Sequence, residues 1–126
     1  MKKEKEIYDL FMEEVEASKK THKDSMDYNQ KLKKDSGKNR LDLVPPEWIL
    51  EIGKVLSFGI QKGYEEDSWM QVEAKRYKAS TLRHLLAHLD GELLDPESGL
   101  MHLSHVLTNV GFLLTLKKLE MDKARI

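Results

Sequence analysis

A chain of 126 residues is long enough for one hydrophobic core and too short for two. With no cysteine it excludes disulfide scaffolds, Cys-ligated zinc and thiol chemistry, so any metal must be held by His, Asp or Glu. A net charge of −1 supplies neither the field of a nucleic-acid binder nor that of a DNA mimic, and 40% hydrophobic with 34% charged residues points to a globular helical protein, not a fibre.

From the N-terminus, MKKEKEIYDLF has no apolar signal core, and no later run reaches the roughly 18 apolar residues of a membrane span. The expected address is the cytosol, with neither a membrane nor a stable nucleic-acid partner. Ile7, Leu10, Phe11 and Val15 recur at the spacing of one helix face, which predicts a first amphipathic helix over residues 4–18. Between Thr21 and Lys38 the only larger apolar groups are Met26, Tyr28 and Leu32, too few to cover a core. That stretch reads as an exposed connection, and a basic one, since residues 19–40 hold eight Lys and Arg against three Asp.

Pro45 then forces Val44 out of helical geometry, while Pro46 and Glu47 suit a helix start, giving a second helix over residues 46–62. Its Trp48, Ile49, Ile52, Val55, Leu56, Gly59 and Ile60 fall within roughly 120 degrees of arc, the expected buried face. Gly63 ends it, the polar loop YEEDSW follows, and a third helix is expected from Val72 to Leu89, closed by Asp90-Gly91. Leu82, Leu85, Leu86 and Leu89 stripe that helix. After GELLDPESG a fourth helix, capped by Asp95 or Ser98 and running to Leu119, is apolar around most of its circumference and belongs at the centre. No segment alternates with period two for long enough to be a strand. The expectation is one all-α domain, residues 1–36 forming the N-terminal helix and basic connection and residues 37–119 the helical core.

Histidines supply the chemistry. His84 and His88 share a face of the third helix at i, i+4, and His102 and His105 share a face of the fourth at i, i+3, with Asn109 beside them. An imidazole buried without a partner costs on the order of 1 to 3 kcal/mol, so polar groups must meet these rings. Arg83, His84, His88, Glu92 and Asp95 are the facing supply, the last two as E-x-x-D. Mixed imidazole and carboxylate ligands suit Mn²⁺, Fe²⁺, Ni²⁺ or Zn²⁺, whereas Mg²⁺ prefers oxygen alone. The third helix poses a conflict, because its imidazoles project opposite its leucine stripe and both faces cannot touch one neighbour. A homodimer or higher oligomer would supply the second wall.

Four segments in order carry a resemblance: GKNRLDLVPPEW (37–48), VLSFGIQKGYEEDSW (55–69), RHLLAHLDGELLDPESGL (83–100) and HLSHVLTNVGFLL (102–114). Together they resemble the phage-associated dATP/dGTP diphosphohydrolase N-terminal domain family, akin to the MazG-like all-α nucleotide pyrophosphohydrolases. The resemblance implies a four-helix MazG-like bundle, with the extended basic segment between its first and second helices. It also implies hydrolysis of a nucleoside triphosphate, a purine dNTP, to the monophosphate and pyrophosphate. RHLLAH is similar to the helix that carries E-x-x-E in MazG-like enzymes and HLSH to the next, which carries E-x-x-D, so histidines stand where those enzymes have carboxylates.

On that footing the metal ligands are His84, Glu92, Asp95, His102 and His105, holding Mn²⁺, Mg²⁺ or another transition metal, and the catalytic carboxylates are Glu92 and Asp95, Glu92 as ligand or base. Lys38, Arg40, Lys62 and Arg83 would neutralise phosphate charge, Trp69 would stack on the base, and Asn109 would read it or support a ligand. The rival reading is a non-catalytic helical dimer that binds a nucleotide or protein partner through a buried histidine network. A His-Asp phosphohydrolase ranks last, because Leu89 separates His88 from Asp90.

Overall fold

The computed structural model describes the backbone over residues 2–125 and the side chains over 4–19 and 27–125. Helices α1 (Lys2–Leu32), α2 (Pro46–Gln61), α3 (Ala74–Leu89) and α4 (His102–Ala124) are joined by two short 3-10 turns, and the one β feature among the described residues is a bridge between Leu94 and Met101. The chain divides into two compact units, residues 1–41 and 42–126. None of the described helices is long and apolar enough to cross a membrane.

In the first unit, α1 overturns the expected break after residue 18 and continues to Leu32. Of the described side chains there, Asp27, Tyr28 and Asn29 are exposed. Burial was the wrong criterion, because Lys, Gln and Met are strong helix formers and no Gly or Pro interrupts the chain before Gly37. The turn that ends α1 is tied by Gln30, whose Nε2 donates to Asp35 Oδ1 at 2.6 Å and whose Oε1 accepts the Ser36 N–H at 3.0 Å. The side chains of Lys20, Lys23, Asp24 and Met26, part of the expected basic stretch, lie outside the described residues.

The second unit begins as the prolines dictate, with Pro45 extended (φ −60°, ψ 129°) and its carbonyl accepting the Trp48 N–H at 3.0 Å. The third helix ends where Asp90-Gly91 predicts. Gly91 at φ +98° lets the Gly91 and Glu92 N–H groups turn back onto the His88 and Ala87 carbonyls, each at 3.0 Å. The fourth helix starts later than expected, at His102. Asp95 instead organises a turn, its Oδ2 accepting the Ser98 N–H at 3.0 Å and its carbonyl the Gly99 N–H at 2.8 Å. Gly99, at φ +72°, cannot propagate a right-handed helix from that cap.

As expected, α4 is central, packing against both α3 and α2. Its buried face, however, is polar: among the described residues no apolar side chain is buried, and the buried ones are His102, Ser104, His105, Thr108 and Asn109. The polar groups are sequestered because each finds a partner there, as in the 3.1 Å bond from Asn109 Nδ2 to Ser80 Oγ and the 2.7 Å bond from Ser104 Oγ to Glu51. The conflict on α3 resolves the same way, with His84 half-buried toward α4 and Leu82, Leu86 and Leu89 turned outward, 52–70% exposed. On α2 the expected face is covered only in part. Ile52, Val55 and Gly59 are half-buried, while Trp48, Ile49, Leu56 and Ile60 are 41–65% exposed. Two helix-interior glycines, Gly53 and Gly111, are exposed, and a Cβ at either would meet nothing within 4 Å. Each costs roughly 0.5–1 kcal/mol relative to alanine.

Candidate functional site

His84 of α3 meets His102 and His105, both in the first turn of α4, beside the turn that Asp95 organises. His84 Nδ1 and His102 Nδ1 stand 2.8 Å apart, and His102 Nε2 is 2.7 Å from Glu92 Oε1. The His84 and His105 rings stack at 4.4 Å with an interplanar angle of 6°. Phe58 of α2 closes this side, its ring edge-on to His105 at 6.5 Å.

Proton positions follow from the partners. Glu92 as a carboxylate only accepts, so His102 Nε2–H donates to it and His102 Nδ1 keeps its lone pair. His84 Nδ1–H then donates to His102 Nδ1, and His84 Nε2 is left with a lone pair. Ser98 Oγ accepts the Leu100 N–H at 3.1 Å and shares a hydrogen bond of 2.7 Å with His105 Nε2, the donor set by the His105 tautomer. Asp95 Oδ2 lies 3.6 Å from that nitrogen, close enough for charge and too far for a hydrogen bond.

Burial pushes His84 below the usual 6.5, and the neighbouring His105 adds to the shift; burial lowers His105 too, against the opposing pull of Asp95. Burial alone would raise the Asp95 carboxyl, but the hydrogen bonds from Ser98 outweigh it and leave it lowered. At neutral pH His84 and His105 are therefore neutral and Asp95 is ionised, the protonation states that favour metal binding. Both histidines bind fewer protons folded than unfolded, so their contribution to stability is complete above pH 6.5 and is lost as pH falls through that value toward their lower folded pKa. Metal-free protein is accordingly expected to show a falling urea midpoint between about pH 7 and 5, with Asp95 adding its loss below about pH 4. A flat midpoint over that range would contradict this burial.

Three side chains could hold a cation. Ligand atoms of His84, Asp95 and His102 all lie within 4.8 Å of one another. The two Nδ1 atoms, 2.8 Å apart, would both present lone pairs to such an ion once the proton on His84 Nδ1 moves to Nε2. The Glu92 contact to His102 is the carboxylate support that metal-bound imidazoles usually have.

The other residues singled out in the sequence fall elsewhere. His105 is beside the three but directed at Ser98, and His88 is half-buried outside the group. Lys62 sits at the end of α2 with Nζ 2.5 Å from Glu97 and 5.5 Å above the Phe58 ring. Arg83 is exposed, and Lys38 and Arg40 are exposed residues of the first unit. Trp69 stacks on Phe112 at 4.8 Å, so one of its faces is spent within the fold.

Sequence reasoning missed Glu51 and treated Ser98 only as a cap. Glu51 carried a signal, an acid set among Ile52, Val55 and Phe58 on the inward arc of α2. Hydrogen bonds from Lys54 and Ser104 lower its pKa.

The family described as dATP/dGTP diphosphohydrolase, N-terminal, matches residues 28–125. A dATP/dGTP diphosphohydrolase of Salmonella phage PMBT28 is 32% identical over 82 residues, 65% of this chain and 28% of that protein, so the chain spans under a third of the relative's length. No solved structure matches.

Proposed function

We propose that this chain, which belongs to the dATP/dGTP diphosphohydrolase N-terminal domain family, is a divalent-metal-dependent hydrolase cleaving a purine deoxynucleoside triphosphate to the monophosphate and pyrophosphate. The observation that carries the reading is the convergence of His84, Asp95 and His102 within 4.8 Å. These three would hold the ion, of which Mn²⁺ or another transition metal suits two imidazoles better than Mg²⁺ does. When bound, it would supply positive charge to phosphate oxygens and acidity to a water.

The chain's own groups do the rest. Glu92 accepts the His102 Nε2–H and fixes that ring. His105, stacked on His84, holds it in plane and is itself hydrogen-bonded to Ser98. Lys62, exchanging Glu97 for a phosphate oxygen, would neutralise charge on the leaving pyrophosphate, helped by Arg83. Trp69 and Asn109 would serve the base, Trp69 through the face that Phe112 leaves free. The cytosol suits a chain without cysteine, and the working form is an oligomer.

Metal-depleted protein is expected to release no pyrophosphate from the four dNTPs, and Mn²⁺ to restore release with dATP and dGTP ahead of the pyrimidines. The rival reading, a binding module, draws on the closed hydrogen-bond chain from His84 through His102 to Glu92. It wins if no nucleotide yields pyrophosphate with any divalent ion.

A further inference from the structure

Lys62 and Glu97 form an ion pair at the edge of the histidine group, with 2.5 Å between Lys62 Nζ and Glu97 Oε1. Two rings flank the same ammonium, Phe58 at 5.5 Å and Tyr64 at 5.7 Å from their centroids. Phe58 ties this arrangement to the site, because its ring also stands edge-on to His105, which stacks on His84. The charges reach the site as well. The Glu97 hydrogen bond holds Lys62 above the usual lysine range, with smaller pulls in the same direction from Tyr64 and Asp95.

Both backbones that carry the pair are fixed. Lys62 caps α2 with its N–H on the Phe58 carbonyl at 3.0 Å, and Gly63 at φ +101° folds the chain back so that the Tyr64 N–H reaches the Gly59 carbonyl at 3.1 Å. Tyr64 thereby lies beside Gly59, where a Cβ would stand 3.7 Å from its ring. Glu97 belongs to the turn that Asp95 closes by accepting the Ser98 and Gly99 N–H groups. The two side chains can therefore part without opening the fold. Their exposure, 36% for Lys62 and 62% for Glu97, makes the pair weak enough for a more highly charged anion to displace.

We propose that Glu97 is a built-in competitor of the polyphosphate: it holds Lys62 between turnovers, yields it to the phosphates that leave as pyrophosphate, and takes it back as they depart. The substrate rests on the hydrolase reading above; the addition is a positioning residue that acts through Lys62 and touches no reacting atom. Phe58 and Tyr64 keep the ammonium in place during the exchange, because a ring face attracts a cation whichever anion lies beside it. Glu97 is released into water, where an exposed carboxylate is well solvated. A nucleoside monophosphate lacks the distal phosphates and does not contest Lys62.

Inorganic pyrophosphate is the probe, titrated by calorimetry into the full Mn²⁺-loaded chain so that the result does not depend on turnover. Glu97→Gln is expected to tighten its binding about two- to fivefold, the range of an exposed ion pair. Lys62→Met is expected to weaken it, and Glu97→Gln added to Lys62→Met to change nothing further. In kinetics Glu97→Gln is expected to lower the KM for dATP and the inhibition constant of pyrophosphate by the same factor, without raising kcat, and to leave inhibition by dAMP as it was. A charge that merely repels phosphate would act equally with and without Lys62, and on dAMP too. That outcome overturns the proposal, as does an unchanged pyrophosphate affinity in Glu97→Gln or no pyrophosphate binding by the unaltered chain. A chain that binds pyrophosphate in the expected pattern but cleaves no dNTP would leave the exchange standing and remove the hydrolase.

Discussion

Replacing His102 by alanine is expected to abolish metal retention and pyrophosphate release together. The ring is 4% exposed and has both nitrogens engaged, Nδ1 with His84 and Nε2 with Glu92, so no other side chain can take its place without moving α4. Without it the ligand group shrinks to His84 and Asp95. Mn²⁺ binding is then expected to weaken at least about a hundredfold, and hydrolysis of dATP or dGTP to fall on the order of 10²–10³-fold. A structural cost accompanies this, because the His84 Nδ1–H and Glu92 lose their partner, worth about 1–3 kcal/mol. Ser104→Ala is the control, since Ser104 is as deeply buried on the same helix but bonds to Glu51. It is expected to lose stability and keep its metal. His102→Ala protein that still carries stoichiometric Mn²⁺ would remove the metal site from the account.

The site was more legible than the surface around it. The pair His102 and His105 at helical spacing, with His84 on the preceding helix and E-x-x-D between them, names residues that the fold brings together, because i, i+3 positions share a face whatever the tertiary context, while His88 falls outside the group. The prolines at 45 and 46 and the Asp90-Gly91 stop were legible for the same reason, being local backbone rules. The length of α1 was not, because a helix of good formers can persist without a buried face and periodicity looks only for the face. The start of α4 was misread because Asp95-Pro96 mimics a helix cap until Gly99 breaks it.

The deeper misreading concerned which side of each helix turns inward. Hydrophobic periodicity assumes that apolar stripes face the chain's own core. Here the polar stripes do, and Leu82, Leu86 and Leu89 on α3 and Leu103, Val110 and Leu114 on α4 face outward. The same sequence that gathers imidazoles and hydroxyls on the inner side of α4 thereby leaves apolar side chains on the outer side.

Glu92→Gln is expected to weaken Mn²⁺ binding about 10- to 100-fold while leaving turnover at saturating Mn²⁺ nearly unchanged. The geometry argues for a residue that acts through its neighbour: Glu92 Oε1 is on His102 Nε2 at 2.7 Å, on the far side of the ring from the Nδ1 that faces His84. By accepting the Nε2–H it fixes the tautomer that leaves that Nδ1 bare, and its charge would strengthen the ring as a ligand. Glutamine keeps an oxygen able to accept the same N–H, so the ring stays in place and only the charge is lost. A general base behaves otherwise, because its loss costs on the order of 10²–10⁴ in rate however much metal is supplied. Titrating Mn²⁺ into the variant while following pyrophosphate release separates the two. Recovery at high Mn²⁺ fits a positioning residue, and a rate that stays low at every concentration returns Glu92 to the role of base and leaves the orientation of His102 to packing alone.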